Sequence, residues 1–366
     1  MLAAVAACVS PTAINRRELC IGADAAPVRI VETAGGVAID ISVLIYNVEG
    51  LPWPARRGRG RYLEKIGAEL RRLREAGAAP DIIMLQEVFS PRAVKILSRS
   101  GYPNIAAGPD AKARRRLSSA AIPDAYVEAR RLLRGEKGPI LLDSGLYILS
   151  SFPIISVERE PFSRHACAGF DCLSNKGVLL ARIAIPGAPT PIEVFTTHMN
   201  AQRASRVDIE RTHAAHAFQT DESAILLNWA RDSRYPLIFG GDFNMRNAQI
   251  RLDHFSYRKP YAIVRHFCTI VVDDCDVRMS WDGDEPWLDT QDLQGFEPGE
   301  FVDIRPIRAE AMFDRPENGG KLSDHDGYLV TYRLSWPAGL ASQPIRDAGG
   351  RICVDETGAW TSRAPD

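Results

Sequence analysis

The segment Gly-Gly-Asp-Phe-Asn at residues 240–244 follows directly on an apolar run at residues 235–239. The run has the length and composition of a short buried strand. Residues two apart on an extended segment point to the same side, so Asp242 and Asn244 share one face. Glycine allows a backbone conformation and a close ligand approach that a side chain would block. The segment therefore predicts a strand that presents an acid and an amide at the edge of a sheet, with a polar turn as the alternative.

Length and composition are those of a globular protein with a large core. The chain has 366 residues, 45% hydrophobic and 25% charged, which suits one large domain or two ordinary ones. A formal net charge of -1 gives no global attraction to nucleic acid or to an anionic membrane. No apolar run approaches the roughly 20 residues that a membrane-spanning helix needs.

Arginines are nevertheless unevenly distributed. They concentrate after the first predicted strand and in a stretch of weak periodicity: Arg56, Arg57, Arg59 and Arg61, then Arg114, Arg115, Arg116, Arg130, Arg131 and Arg134. We interpret each cluster as a solvated charged surface or a mobile insert. A rim that faces substrate phosphates is the alternative.

The N-terminus and the cysteines favour export. Residues 5–8 resemble the cleavage box of bacterial lipoproteins, with Cys8 as the lipidated residue, although the apolar part is short for a signal peptide and a disordered Ala-rich terminus is the alternative. The other six cysteines suggest disulfides, which are typical of oxidising compartments. We predict the pairs Cys167–Cys172, Cys268–Cys275 and Cys20–Cys353. The protein is thus expected to be exported, periplasmic or extracellular, with a lipid anchor at Cys8 as one option.

Hydrophobic periodicity predicts strands that alternate with helices. Strands are predicted at residues 39–46, 81–85, 145–149, 177–185, 192–197, 236–239 and 327–334. Helices are predicted at residues 62–75, 91–98 and 205–231. Residues 104–140 are predicted to be an elaborated loop with some helix, and the chain from residue 251 to 327 to be irregular. The pattern indicates one α/β domain, a two-layered sheet sandwich with helices outside.

Polar residues stand at the ends of many of these strands: Asn47, Glu49, Glu87, His198, Asn200, Asp242, Asn244, Asp324 and His325. Together they resemble the endonuclease/exonuclease/phosphatase superfamily, which includes deoxyribonuclease-I-like nucleases, inositol-phosphate phosphatases and neutral sphingomyelinases. The matching motifs follow the family's order: Tyr46-Asn47-Val48-Glu49-Gly50-Leu51, Leu85-Gln86-Glu87, Thr196-Thr197-His198, Gly241-Asp242-Phe243-Asn244 and Ser323-Asp324-His325.

This resemblance implies the family's fold, a four-layered α/β/β/α sandwich like that of deoxyribonuclease I. It spans residues 41–334 and so covers most of the chain. On this basis residues 1–36 form the signal-like lead-in, residues 37–336 the catalytic domain and residues 337–366 a C-terminal tail. We expect a monomer.

Within the family, the middle of the chain resembles bacterial sphingomyelinases. Residues 171–178 are similar to that branch's Asn-Lys-Gly segment and imply a phosphate contact for Lys176. Residues 197–202 are similar to its His-Thr-Gln-Ala motif, but Met and Asn occupy the middle positions, which weakens the assignment of a choline lipid. A peripheral membrane contact is an option, and Trp53, Trp281 and Trp287 are candidates for it, although we expect each to pack under a loop.

The resemblance also implies a metal site and a phosphate site. A hard cation such as Mg²⁺, with Mn²⁺ or Ca²⁺ as alternatives, binds carboxylates and stabilises charge on phosphoryl oxygens. Its ligands are expected to be Glu87, Asn47, Glu49 and Asp324. Phosphate oxygens are expected to accept hydrogen bonds from four side chains, namely Asn244, His198, Asn200 and Lys176.

The remaining catalytic groups handle protons. His325 is expected to be the general base, or the acid of the reverse step, because an imidazole titrates near neutral pH. An Asp before the final Asp-His would fix its tautomer; we favour Asp292 over Asp289, with Asp303 as a third option. Asp242 would orient or deprotonate the water, or protonate the leaving group.

Three functions follow from the resemblance. The first is a metal-dependent phosphodiesterase that acts on a lipid or small phosphodiester, as a sphingomyelinase does. The second is a deoxyribonuclease-like nuclease that acts on nucleic acid through local arginine clusters. The third is a non-catalytic binding module on the same fold, which predicts a broken metal site. Because Glu87, Asp242, Asn244 and His325 are all present, we favour an enzyme.

Overall fold

The computed structural model describes most of the chain. The described residues are 14–21, 30–33, 35–258, 262–272, 274–278, 291–314, 320–340, 352–355 and 359–361. Four residues discussed above lie outside these ranges: Cys8, Trp281, Trp287 and Asp289. The lipid anchor and the Asp289 alternative therefore stay predictions.

Strands contain more residues than helices in the described chain. In order they are β1 (Cys20–Ile21), β2 (Ile30–Thr33), β3 (Gly36–Asn47), β4 (Ile82–Gln86), β5 (Asn104–Ala107), β6 (Tyr147–Ser150), β7 (Ile154–Pro161), β8 (Gly177–Ile183), β9 (Ile192–His198), β10 (Leu237–Asp242), β11 (Ala262–Ile263), β12 (Asp276–Arg278), β13 (Asp292–Glu297), β14 (Asp303–Met312), β15 (Gly327–Pro337), β16 (Ile352–Val354) and β17 (Trp360–Thr361). The α-helices are α1 (Gly60–Glu75), α2 (Pro91–Arg99), α3 (Asp124–Glu128), α4 (Ile209–Ala230), α5 (Gln249–Arg258) and α6 (Val264–His266).

Two sheets pack face to face around the main core. The larger sheet has the order β12-β14-β15-β3-β4-β6-β5, with β2 beside β3, and the smaller sheet has the order β11-β13-β10-β9-β8-β7. Side chains alternate along each strand, so every second residue points inward. Val43 and Ile45 of β3 therefore share one buried cluster with Leu179 of β8 and Val194 of β9.

Helices cover the outer face of each sheet. Leu63 of α1 and Ile96 of α2 are buried in one cluster with Leu44, which points outward from β3. On the opposite side, Leu226 of α4 clusters with Phe239 of β10. The order of layers is thus helix, sheet, sheet, helix, and the predicted α/β/β/α sandwich is confirmed.

The prediction of irregular structure from residue 251 to 327 is wrong for much of the described chain. This region contributes α5 and the long strands β13 and β14. In β13 the inward-facing Gln294 is polar, and its Nε2 donates to the carbonyl oxygens of Val43 (3.2 Å) and Tyr328 (2.8 Å). In β14 the register shifts between Pro306 and Arg308. A polar core position and a bulge both disrupt the period-two pattern that marks a strand.

All three predicted disulfides are confirmed: Cys20–Cys353, Cys167–Cys172 and Cys268–Cys275. The first joins β1 to β16 in a small sheet of order β1-β16-β17, so the two ends of the described chain are tied together. No helix in the described ranges is long and apolar enough to cross a membrane.

Candidate active site

The polar strand ends meet at one end of the sandwich. β3 and β4 are parallel, and so are β9 and β10, so the carboxyl ends of each pair lie at the same edge. β13 and β15 run antiparallel to β10 and β3 and begin at that edge. Asp292 is therefore paired directly with Asp242, and His325 lies just before β15. Residues from both sheets are thus brought together.

The two glycines before Asp242 allow β10 to pack closely against neighbouring strands. A Cβ atom on Gly241, whose φ is +152°, would lie 2.1 Å from the carbonyl oxygen of Thr197 on β9. A Cβ atom on Gly240 would lie 2.9 Å from Ile45 of the facing sheet. The sequence predicted close approach at these glycines, and the groups that approach are strands of the protein itself.

Asn47, the last residue of β3, links carboxylates of the two sheets. Its Nδ2 donates to Oδ2 of Asp242 on β10 at 3.0 Å and to Oε1 of Glu87 after β4 at 3.3 Å. Its Oδ1 accepts a hydrogen bond from the backbone N–H of Glu49 at 3.0 Å. Because Asn47 is buried, this single amide fixes the positions of both acids.

His325 and Asp292 form a short, buried hydrogen bond. Nδ1 of His325 lies 2.6 Å from Oδ2 of Asp292. Burial lowers the pKa of His325, but the charge and hydrogen bond of Asp292, together with the charges of Asp242 and Asp324, outweigh burial and raise that pKa to about 10. Asp303, the third option, is exposed at the far end of β14, and among the described residues its side chain accepts only from the N–H of Ile304.

Asp242 lies next to this pair. Its Oδ2 is 3.8 Å from Nε2 of His325. Burial raises the pKa of Asp242 to about 7, although the nearby His325 opposes the rise. Asp242 therefore changes charge near neutral pH, beside the imidazole of His325.

Lys176 and His198 lie together on one side of the site. Nζ of Lys176 lies 3.2 Å from Nε2 of His198 and donates to Oδ2 of Asp171 at 3.1 Å. Burial, and then the charge of Lys176, lowers the pKa of His198 well below its usual range, so this ring is neutral. Its Nε2 is 3.5 Å from Oδ2 of Asp242, and its Nδ1 is buried without a hydrogen-bond partner in the described part of the chain.

The amide of Asn244 is oriented from two sides. Its Nδ2 donates to the carbonyl oxygen of Met199 at 3.1 Å, and its Oδ1 accepts from Gln291 at 3.1 Å. Gln291 also donates to Oδ1 of Asp242 at 2.8 Å. The sequence reading did not identify Gln291, for which the available signal was its position directly before Asp292.

The side chain of Asn200 hydrogen-bonds to the loops beside the site. The side chain is fully buried; Oδ1 accepts from the N–H of Ala168 at 2.9 Å, and Nδ2 donates to Oγ of Ser205 at 3.0 Å. These bonds hold neighbouring loops in place. A phosphate contact by Asn200 stays a prediction.

Two arginines pair with predicted metal ligands. Arg56 bridges Glu49 and Asp324, with N–O distances of 3.1 and 2.9 Å. Arg59 lies 3.2 Å from the other oxygen of Glu49 and donates to the carbonyl oxygen of Val48 at 2.9 Å. In contrast, the side chain of Glu87 hydrogen-bonds only to Asn47 within the described residues.

Strained backbone occurs at several of the same residues. Glu49, Glu87 and Asn244 have φ values of +50°, +61° and +52°. A non-glycine residue in this left-handed region costs on the order of 1–3 kcal/mol. Such strain is concentrated at functional sites, where the surrounding structure maintains it. The strain therefore independently marks the loops after β3, β4 and β10.

Two groups of side chains offer metal ligands. Donor atoms of Asp242, Asp292 and His325 lie within 4.8 Å of one another, but there the histidine nitrogen is already bonded to Asp292. Glu87 and Asn47 offer a carboxylate and an amide oxygen, the ligands that hard cations prefer. Burial raises the pKa of Glu87, with a further rise from the charge of Asp324.

Comparison with known families agrees with this geometry. The model of the Endonuclease/Exonuclease/phosphatase family matches residues 44–325, which is more than half of the chain. The chain belongs to this family. A sphingomyelinase of Dictyostelium discoideum is 34% identical over 95 residues, which are 24% of this chain and 20% of that protein. The chain thus spans about a fifth of the length of this curated relative.

Solved structures of a bacterial toxin, a sphingomyelinase and a DNA-bound protein share the fold. β-toxin from Staphylococcus aureus has a TM-score of 0.55 at 16% identity, over 79% of this chain and 99% of that one. Sphingomyelinase C from Streptomyces griseocarneus has a TM-score of 0.52 at 16% identity, over 80% and 99%. TDP2 from D. rerio in complex with a single-strand DNA product has a TM-score of 0.50 at 15% identity, over 80% and 98%. The deoxyribonuclease-I-like fold is thereby confirmed.

Proposed function

We propose that this family member is a metal-dependent phosphodiesterase that hydrolyses a lipid or small phosphodiester, as a sphingomyelinase does. The observation that carries the proposal is the hydrogen-bonded pair of His325 and Asp292 beside Asp242. Hydrolysis requires deprotonation of a water, stabilisation of phosphate charge and protonation of the leaving oxygen. The site contains a suitable group for each task.

The proton transfers are assigned to His325 and Asp242. Because Nδ1 of His325 is bonded to Asp292, its Nε2 is the nitrogen that faces Asp242 and exchanges protons with water or the leaving oxygen. Asp292 fixes the ring orientation and stabilises the imidazolium. Asp242, with a pKa of about 7, orients the attacking water or protonates the leaving group.

The phosphate oxygens of the substrate are assigned to the side of the site that carries His198, Asn244 and Lys176. Neutral His198 and the amide of Asn244 are hydrogen-bond donors, and Lys176 supplies positive charge 3.2 Å from His198. All three side chains are buried and held by other contacts. Donors that are already oriented stabilise the transition state without further reorganisation.

The metal is assigned to Glu87 and Asn47. A divalent cation there would supply Lewis-acid stabilisation of the phosphate and, by its own charge, lower the pKa of His325. A variant of the S. aureus β-toxin, which shares the fold, was solved with bound magnesium ions. We propose Mg²⁺, with Mn²⁺ and Ca²⁺ as alternatives. Glu49 and Asp324 are ion-paired with Arg56, so we assign them a supporting position beside the metal.

Internal pairing of four of the arginines removes part of the positive charge that a duplex would need. Arg115 and Arg116 contact Glu222 and Glu160, and Arg56 and Arg59 contact Glu49. A duplex-binding enzyme needs unpaired cations along the phosphate backbone. The nuclease alternative retains one observation in its favour, the shared fold with a protein solved with a DNA product.

Export is part of the proposal. Three disulfides, one of which connects the two ends of the described chain, are typical of an oxidising compartment. We propose an exported monomer. Reducing and non-reducing electrophoresis of the native protein would test the disulfides, and fractionation of producing cells would test the compartment.

One assay separates the candidate functions. The purified protein would be incubated with Mg²⁺, Mn²⁺ or Ca²⁺ and with sphingomyelin, a bis-aryl phosphodiester or plasmid DNA. We expect phosphocholine release without DNA cleavage, and a loss of at least about a hundredfold in Glu87→Ala and His325→Ala. Asp303→Asn, at an exposed position, is the matched control. DNA cleavage that falls steeply with salt would favour the nuclease, and no turnover would favour a binding module.

A further inference from the structure

An apolar turn lies exposed beside the active site. Leu132 and Leu133 are 65% and 88% exposed in a 3-10 turn, Leu132–Arg134, and Phe170 is 41% exposed in a neighbouring turn. We call Leu132, Leu133, Arg134, Lys137 and Phe170 the rim. Leu133 is the most exposed large hydrophobic side chain in the described part of the chain. Exposed apolar groups that adjoin one another mark a contact surface.

Uncompensated positive charge surrounds these leucines. Arg134 and Lys137 are exposed and have no ion-pair partner among the described residues. Arg130 is not part of this exposed charge, because its Nε and Nη2 are buried. The carboxylate of the segment, Glu136, is fully buried and accepts from Arg211 at 2.6 Å and from the N–H of Gly169 at 3.0 Å, so it is already paired within the protein.

The rim is rigidly connected to the catalytic groups. Glu136 bonds the rim turn to the turn that carries Phe170, and the disulfide Cys167–Cys172 closes that second turn. Asp171, which follows Phe170, accepts from Nζ of Lys176 at 3.1 Å. Lys176 in turn lies 3.2 Å from His198. A surface that engages the rim is therefore held close to the phosphate side of the site.

We propose that the rim docks this protein onto a lipid bilayer that carries anionic headgroups. Leu132 and Leu133 would enter the boundary between headgroups and acyl chains, while the exposed Arg134 and Lys137 would bind lipid phosphates. Adjacent leucines give apolar burial and unpaired cations give attraction to anionic lipid, and membrane-surface elements combine both. A second copy of the chain fits less well because it would present the same positive charge.

The purpose of docking, the delivery of a lipid substrate, rests on the proposed function. Docking itself can be measured without an assay of turnover. The wild-type protein would be sedimented with phosphatidylcholine vesicles, with and without phosphatidylserine, in the presence of EDTA. We expect binding to the mixed vesicles to exceed binding to the neutral ones. The double variant Leu132→Ser/Leu133→Ser should bind at least about tenfold more weakly. Arg134→Gln and Lys137→Gln should each weaken binding by about fivefold.

The matched control is Ile270→Ser/Val271→Ser, which removes another adjacent pair of exposed aliphatic residues, 72% and 57% exposed. This control should bind vesicles like the wild type, and all variants should turn over a soluble bis-aryl phosphodiester equally. The proposal is overturned if the control weakens binding and the rim variants do not. It is also overturned if the wild type binds no vesicles, or if light scattering detects a dimer that the leucine variant abolishes.

The proposed function and the proposed docking surface can be refuted independently of each other. Rim-dependent vesicle binding by a protein that cleaves no phosphodiester would refute the proposed function and support the docking surface. Cleavage of detergent-solubilised sphingomyelin by a protein that ignores vesicles would support the function and refute the docking surface.

Discussion

Replacing Asp292 with asparagine removes the charge that holds a proton on His325 while it preserves the size of the side chain. In the folded protein the two side chains are 2.6 Å apart, and the pKa of His325 is about 10. In the unfolded chain that pKa returns to about 6.5. Because the folded pKa is the higher one, the contribution to stability is fully present below about pH 6.5 and is lost as the pH rises toward 10.

The expected magnitude follows from proton linkage. Between these pH values His325 lowers the wild-type free energy of unfolding by up to about 1.4 kcal/mol for each pH unit. In Asp292→Asn the strongest opponent of burial is gone, so the pKa of His325 falls and this slope becomes smaller. Asp242, with a pKa of about 7, also titrates, but it is ionised at higher pH. The difference in stability between the two proteins should therefore shrink from about pH 7.5 upward because of His325.

Urea unfolding followed by tryptophan fluorescence, in EDTA and at several pH values above neutral, measures this difference. Asp303→Asn is the matched control, because Asp303 is exposed and should change neither the stability nor its pH dependence. A difference between wild type and Asp292→Asn that stays constant across the range would refute the assignment of a shared proton to the pair. In the same variant we expect turnover to fall by about 10²–10⁴-fold.

Three further outcomes test the site and the fold. Glu87→Gln should weaken Mg²⁺ binding in titration calorimetry by at least about tenfold, and a larger effect from Glu49→Gln would move the metal toward Arg56. Gly241→Ala should lower the free energy of unfolding by more than about 2 kcal/mol, because its Cβ meets the Thr197 carbonyl; a neutral result in urea would contradict the close strand contact. Cys20→Ser should lower the free energy of unfolding by about 2–5 kcal/mol. A reductant should destabilise the wild type by a similar amount and should destabilise the variant less.

Much of the layered core could be predicted from the sequence because period-two burial is a local property. β3 alternates between the two cores, with Val43 and Ile45 facing one and Leu44 facing the other. The strand predicted at residues 236–239 extends three residues further, to Asp242, and parallel pairing then brings the ends of neighbouring strands together. It was the resemblance of the strand-end motifs to the family that grouped Asn47, Glu87, Asp242 and His325 in the prediction.

The remaining features depend on contacts between distant parts of the chain. Gln294 looks polar in sequence but is buried, since its amide bonds to the carbonyl oxygens of two other strands. The ion pair of Arg56 with Asp324 joins residues 268 positions apart, and no local pattern indicates it. Trp53 was expected to pack under a loop, and it is 54% exposed. Leu132 and Leu133 lie in a stretch without periodicity, so the sequence did not indicate their exposure either.

The hydrogen bonds of Asn47 have a consequence for the order of events during synthesis. This residue belongs to the first long strand, yet one of its partners, Asp242, arrives with the tenth strand, and His325 arrives with the strand that pairs beside β3 near the end of the chain. Neither half of the sandwich contains a complete set of reacting groups. A nascent or truncated chain that lacks β15 therefore cannot act on a phosphodiester, and recovery of activity after dilution from urea should trail the formation of either sheet.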